Sequence, residues 1–194
     1  MTGKGSLNHN SRKFHAKNTD PNRTHWNVEY CNEDIKDVYH ELFDEALKRY
    51  NDKQTRKDRK IDDYYEKIRS GKQEKLFHEV IIQIGDKDNM GSETMEGQLA
   101  AKILDEYMKG FQERNPTLRV FAAHLHLDEA TPHLHIDFIP YVTGSKRGLD
   151  TRVSLKQALS SLGFKGGSRS ETELNQWVQS EKEKLAMVMR ERNS

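Results

Sequence analysis

Four of the nine histidines in this 194-residue chain fall between positions 124 and 135, in the stretch HLHLDEATPHLHIDFIP. Side chains two apart on a strand share a face, so His133, His135 and Asp137 point one way while Leu134, Ile136 and Phe138 point into a core. His126 ends the preceding strand and returns across the hairpin to the same side. Three neutral imidazoles converging above a sheet form a site for a metal ion. With no cysteine nearby, the donors are borderline in softness and suit Mn, Co, Ni, Cu or Zn. Three protein ligands leave positions open for substrate, as catalytic centres do. The bland alternative is three surface histidines on a polar face. Glu129 and Asp128 can each serve as a fourth ligand or orient a nucleophile, and the role of a solvated turn carboxylate fits Asp128 better than Glu129. His124 shares the parity of His126 but lies farther from the tip, and reads as a surface residue or one that backs a ligand.

The elements that must hold this site are legible around it. TLRVFAAHLHL and HLHIDFIPYV read as two strands joined by the five residues DEATP, a β-hairpin. KLFHEVIIQIGD is a β-branched run that fits a buried strand, and THWNVEY, with Trp26, Val28 and Tyr30 on one face, a short one. Asn32 is expected to cap a helix that turns Ile35, Val38, Tyr39, Leu42, Ala46 and Tyr50 inward. Ile61, Tyr64, Tyr65 and Ile68 mark a second short helix. Met95, Leu99, Ile103, Tyr107 and Phe111 predict the buried side of a third, stopped at Asn115-Pro116. SLKQALSSLGF reads as a short helix closed by Gly163. Ser170 and Glu173 predict the capping box of a last helix over 171–192, with Leu174, Trp177, Val178 and Leu185 inward. This order predicts an α+β fold, an antiparallel sheet covered by helices.

Bulk properties narrow the class. Apolar residues make up 34% and charged residues 32%, so the core is modest and the surface well solvated. Cys31 is the sole cysteine, which rules out an internal disulfide, and no apolar run approaches the roughly 20 residues of a membrane span. The polar N-terminus lacks a signal-peptide core, and a soluble, cytoplasmic protein is expected. The net charge of +1 decides nothing about a nucleic-acid partner, because distribution matters more. Residues 141–170 hold six basic side chains, Lys146, Arg147, Arg152, Lys156, Lys165 and Arg169, against Asp150 alone. A basic region over 143–170, just after the hairpin, is expected to contact a DNA backbone through Lys146, Arg147, Arg152 and Lys165.

HLDEATPHLH resembles the third motif of MobV-type (Mob/Pre) plasmid mobilisation relaxases, within the HUH endonuclease superfamily. HNSR at His9–Arg12, followed by NTDPNRTHWN, is similar to that family's first motif, and RGLDTRVSLKQALSSLGFKGG also fits the group. The resemblance implies an HUH-type antiparallel sheet in a single domain over 1–194, with the metal site on its central hairpin. It implies a metal-dependent enzyme, most plausibly using Mn2+ with Mg2+ or another transition metal as alternatives, that nicks single-stranded or hairpin DNA at a transfer origin. His9 would be the nucleophile, forming a phosphoramidate link to the 5′ phosphate, with Glu129 accepting its proton. His126, His133 and His135 would hold the metal, while Arg12 and Arg23 would clamp phosphates. Relaxosome or coupling proteins are possible partners. Only eight residues precede His9, so the sheet is expected to lack the family's first edge strand, GKGSL being its remnant, and the long helical C-terminal region of the family is expected to be missing.

Rival readings differ in class. A tyrosine-type HUH replication initiator or transposase would use Tyr64 or Tyr65, although neighbours on a helix point about 100° apart and at least one must pack inward. A non-catalytic DNA-binding autoregulator would bind without cutting. A metallohydrolase of small phosphoesters ranks last, for want of a second carboxylate-rich metal site.

Overall fold

An antiparallel sheet organises the protein, and a computed structural model describes residues 2–3 and 5–192, the first two by backbone alone. The strands are β1 (Thr2–Gly3), β2 (Val28–Asn32), β3 (His78–Gln83), β4 (Leu118–His126), β5 (His133–Val142) and β6 (Arg152–Val153). The helices are α1 (Leu7–Asn10), α2 (Ile35–Asp52), α3 (Tyr64–Ser70), α4 (Met95–Lys109), α5 (Phe111–Arg114), α6 (Leu155–Ser161) and α7 (Glu173–Arg192). The strands run in the order β1-β3-β5-β4-β2, and β6 pairs with the far end of β5. The fold is α+β, as expected, with the β4–β5 hairpin at its centre.

Alternation along β5 sends Leu134, Ile136 and Phe138 into a core with α4, α5, α6 and α7 on one face. The odd-numbered residues face the other way. There Ile139, with Phe121 and Ala122 of β4, packs under α2 and α3, while His133, His135 and Asp137 lie beyond that second core. A bulge between Val120 and Ala122 makes this possible. Val120 and His126 have the same parity, yet Val120 lies in the first core and His126 on the opposite face. The extra residue at Phe121 reverses the alternation and turns His124 and His126 toward His135 and His133, their register partners.

Several expectations shift. Residues 24–26 form a 3-10 turn, so the strand begins at Val28, and the cap of α2 is Asp34, not Asn32, because the Asp34 carboxylate accepts from the Lys36 and Asp37 amides. On α4 the buried stripe is Ala100, Ile103, Leu104, Tyr107 and Met108, leaving Met95 84% and Leu99 41% exposed. A strict spacing of four drifts around a helix of 3.6 residues per turn, so the first two positions rotate out of the contact. At the start of α7 Thr172, not Ser170, accepts from the Asn175 amide. The first edge strand is present as two residues, Thr2 and Gly3, facing Val80 and Glu79. Of its expected remnant, Leu7 belongs to α1 and Lys4 lies outside the described residues. Among the described residues no helix is long and apolar enough to cross a membrane.

Candidate active site and metal centre

The imidazoles of His126, His133 and His135 gather on the face opposite α4 and α7, with ring centroids 5.3, 4.8 and 5.0 Å apart. Each is oriented by one nitrogen. His126 Nε2 meets the Asn10 carbonyl at 2.8 Å, His133 Nδ1 meets the Thr131 carbonyl at 2.7 Å, and His135 Nδ1 meets the Glu79 carboxylate at 3.1 Å. A carbonyl or carboxylate only accepts, so these partners select the tautomers with the N–H on that side and leave a lone pair on His126 Nδ1, His133 Nε2 and His135 Nε2. Two of those nitrogens, His126 Nδ1 and His135 Nε2, are buried and have no hydrogen-bond partner. Burial pushes the His126 pKa down to about 2 and lowers that of His133, so both remain neutral. Buried, neutral imidazoles with unpaired nitrogens are the state in which histidine binds a divalent cation.

Glu129 stands at the centre. Its Oε1 lies 3.8 Å from both His126 Nδ1 and His133 Nε2, and 3.3 Å from His9 Nε2. Two donor sets have ligand atoms within 4.8 Å of one another, His9 with His126 and His135, and His126 with Glu129 and His133. The expected histidine trio is thus divided between two overlapping sets that share His126. The donors present, imidazole nitrogens with one carboxylate oxygen, fit a borderline divalent ion.

His9 reaches the site from α1, and its side chain is 21% exposed against 1% for His126. It is placed by an unusual residue. Lys13 N–H donates to the Asn8 carbonyl and Arg12 N–H to the His9 carbonyl, the bonding of a helix C-terminus whose next residue is left-handed. That residue is Arg12, at φ 53°, where glycine is the usual choice. Its side chain compensates. Arg12 donates through Nε and Nη2 to both Asp128 oxygens at 2.9 and 2.6 Å, through Nη2 to Glu129 at 2.8 Å, and through Nη1 to the His9 carbonyl at 2.9 Å. Arg12 Nη1 also lies 3.3 Å from His9 Nε2.

This corrects the expectation for Asp128. Asp128 is not a solvated turn carboxylate: it is fully buried against Arg12, with Thr24 donating at 3.2 Å. Burial opposes its ionisation, but Arg12, Asn27 and Thr24 outweigh that and hold its pKa at about 2. The Arg12 donors, expected to clamp a phosphate, are directed within the protein. Arg23 likewise grips the hairpin connection, donating to the Leu127 and Glu129 carbonyls at 3.2 and 3.3 Å and to Asp20 at 3.1 Å. His124 is buried with Glu29 3.2 Å from its Nε2, which selects, of its two expected roles, the one behind the site.

Three contributors went unnoticed in the sequence. Asn10 donates to Glu79 at 2.5 Å and to Asp137 at 3.1 Å, and Glu79 lay unremarked inside an apolar strand. Phe14, 50% exposed, sets its ring 6.0 Å from that of His9. Burial and the adjacent Glu79 charge raise the Asp137 pKa. Burial works against Glu79 too, but His135 and Asn10 outweigh it and keep Glu79 ionised. Asp137 is therefore the protonated member of the pair. Glu79→Gln is expected to lower affinity for Mn2+ by about 10- to 100-fold, since it removes the group that orients His135. Asp137→Asn, which replaces an already neutral group, should change it by less than about 3-fold. Calorimetric titration of Mn2+ into both variants checks this contrast.

The tyrosines sit elsewhere. The Tyr64 hydroxyl accepts from the Val153 amide at 3.0 Å in the second core, and Tyr65 packs edge-on against Tyr39 at 5.2 Å. Neither joins the histidine cluster. Of the basic side chains, Lys146 and Lys165 are exposed, Arg152 donates to Ser145 at 2.9 Å, and Arg147 lines a cleft. All follow the distal end of β5 in the chain.

Solved structures of a MobM relaxase domain (MOBV; Mob_Pre) bound to oriT DNA of plasmid pMV158, with Mn, resemble the chain. At pH 5.5 the identity is 25%, over 85% of this chain and 70% of that one, with a TM-score of 0.46. At pH 4.6 it is 25%, over 78% and 67%, with a TM-score of 0.45. No curated protein matches. A family model described as plasmid recombination enzyme matches residues 5–186, and the chain belongs to that family, Mob_Pre.

Proposed function

We propose that the protein is a DNA relaxase that cuts one strand at a transfer origin and stays bonded to the new 5′ end through His9. The observation that supports this best is the placement of His9, the accessible imidazole of the cluster, 3.3 Å from Glu129 beside buried metal-type donors. The MobM relaxase domain of the same family, crystallised with Mn and origin DNA, supports the substrate and Mn2+ as the metal. Plasmid DNA resides in the cytoplasm, where this reading places the protein.

His126, His133 and His135, with Glu129 beside them, would hold the divalent ion. Bound there, it supplies positive charge to the non-bridging oxygens of the scissile phosphate. The protein's own groups manage the nucleophile. With the His9 proton on Nε2, toward Glu129, the lone pair is on Nδ1. That pair attacks phosphorus, the P–O3′ bond breaks, and the 3′ oxygen leaves as a hydroxyl with a proton from solvent. Glu129 accepts the Nε2 proton, so the ring ends as a neutral phosphoramidate. The freed Nε2 lone pair then faces Arg12 Nη1, 3.3 Å away.

Purified protein, Mn2+ and end-labelled single-stranded oligonucleotides spanning candidate origins test the reading. Cleavage with the 5′ product retained on protein until proteolysis is the expected result, and binding without cutting would favour the autoregulator. Phe14 refines it. An exposed ring beside the nucleophile offers a stacking face for an unpaired base, a contact of about 1–3 kcal/mol. Phe14→Ala should raise KM by about 10-fold, with kcat little changed, while Phe14→Trp retains wild-type KM.

A further inference from the structure

A cleft of about 670 Å³ opens on the same face of the sheet as the histidines, at the other end of β5. The odd-numbered residues of β5 link the two. His133, His135 and Asp137 belong to the site, while Ile139 and Tyr141 pack with Tyr64, Leu149 and Val153, which line the cleft. From His135 to Tyr141, at about 3.3 Å per residue, the separation is roughly 20 Å.

The lining is cationic. Lys67 and Lys72 come from α3 and the segment after it, Arg147 from the loop before β6, and Arg152 from β6 itself. Lys67, Lys72 and Arg147 are exposed, and their ammonium and guanidinium groups form no ion pair or hydrogen bond among the described residues. The acids that could neutralise them are occupied or weakened. Asp150, the sole acid of residues 141–170, is gripped by Arg49 of α2 at 2.8 and 2.9 Å. Glu74, the one acid in the lining, is half-buried, with its pKa raised by burial, and faces the Leu155 amide at 3.5 Å. Two tyrosines line the cleft, and Tyr50 is half-buried against the second core. Tyr64 is buried, its hydroxyl taken by the Val153 amide. A lining whose exposed polar groups are mainly cations suits phosphates more than base edges.

We propose that this cleft binds the phosphate backbone of DNA flanking the nick, about six nucleotides from the scissile phosphate at the 3.4 Å rise of a duplex strand. The inference rests on the relaxase reading and extends it to a second, sequence-independent contact. It adds Lys67 and Lys72 to the DNA-contacting residues and leaves out Lys146 and Lys165, which do not line the cleft.

The test uses the triple variant Lys67→Ala/Lys72→Ala/Arg147→Ala, three exposed positions outside the active site. Wild type and variant are titrated with a short strand around the nick and with the same strand extended by about ten base pairs of duplex on either side. Two contacts or more imply that the variant binds extended DNA roughly tenfold more weakly, with log K against log salt shallower by about 2, for an extension on one side only. Binding and cleavage of the short strand should not change. Equal affinity of both proteins for every extended substrate would overturn the proposal, as would an equal loss on the short strand. Cleavage of the short strand by wild type is scored separately, so failure of the relaxase reading is distinct from failure of the cleft.

Discussion

His9→Ala is expected to abolish the protein–DNA adduct and to lower strand cleavage by at least about 10⁴-fold, as removing a catalytic nucleophile does in other enzymes. The size follows from the absence of a substitute among the described residues. His126, His133 and His135 turn their free nitrogens inward and are nearly buried, while the Tyr64 hydroxyl is bonded to a backbone amide in a separate core. A tyrosine-type enzyme would behave oppositely, keeping its adduct in His9→Ala and losing it in Tyr64→Phe or Tyr65→Phe. Binding of the uncut strand should persist in His9→Ala, because neither the basic cleft nor Phe14 depends on that imidazole. Gel resolution of labelled products with and without protease, alongside a filter-binding titration, measures both quantities.

The second large effect belongs to Arg12. Arg12→Ala strands a fully buried carboxylate, Asp128, and should destabilise the fold by about 3–5 kcal/mol, as does removal of one partner from a buried ion pair. Arg12→Gly separates backbone from side chain. Glycine accepts φ 53° without the left-handed cost of roughly 1–2 kcal/mol, so it should recover about that much relative to alanine. Catalysis should stay impaired in both, since Glu129 and the His9 carbonyl lose their shared donor. The pH dependence has a defined sign. The Asp128 pKa is lowered in the folded protein from 3.8 to about 2, so its contribution is complete above about pH 4 and is lost as pH falls through about 2. Urea unfolding between pH 2 and 7 should therefore show Arg12→Ala and wild type converging at the acid end.

The histidines were legible because a strand repeats every two residues and the hairpin is local: His126 and His133 pair across a six-residue connection, Leu127–Pro132. The β-branched run that became β3 and the apolar spacing of α2 were legible for the same reason, a periodicity contained within one element. What escaped depends on distance. Asp128 reads as a turn residue until Arg12, 116 positions away, is brought against it. Glu79 was the one available hint, an acid inside an apolar strand, and its partners His135 and Asn10 lie 56 and 69 positions away. The basic segment was legible as charge, but not its distance from the histidines, since ten residues of β5 separate them before it begins. The bulge at Phe121 has no sequence signature, yet it is what puts both strands' histidines on one face.

Mapping the covalent link by mass spectrometry tests the central claim most directly. Protein is incubated with Mn2+ and an origin strand, digested with protease and nuclease, and the nucleotide-bearing peptide is sequenced before and after mild acid. The account predicts a phosphate-linked nucleotide on His9, released by acid as a phosphoramidate is. An acid-stable nucleotide on a tyrosine, or cleaved DNA with no peptide attached, would contradict it.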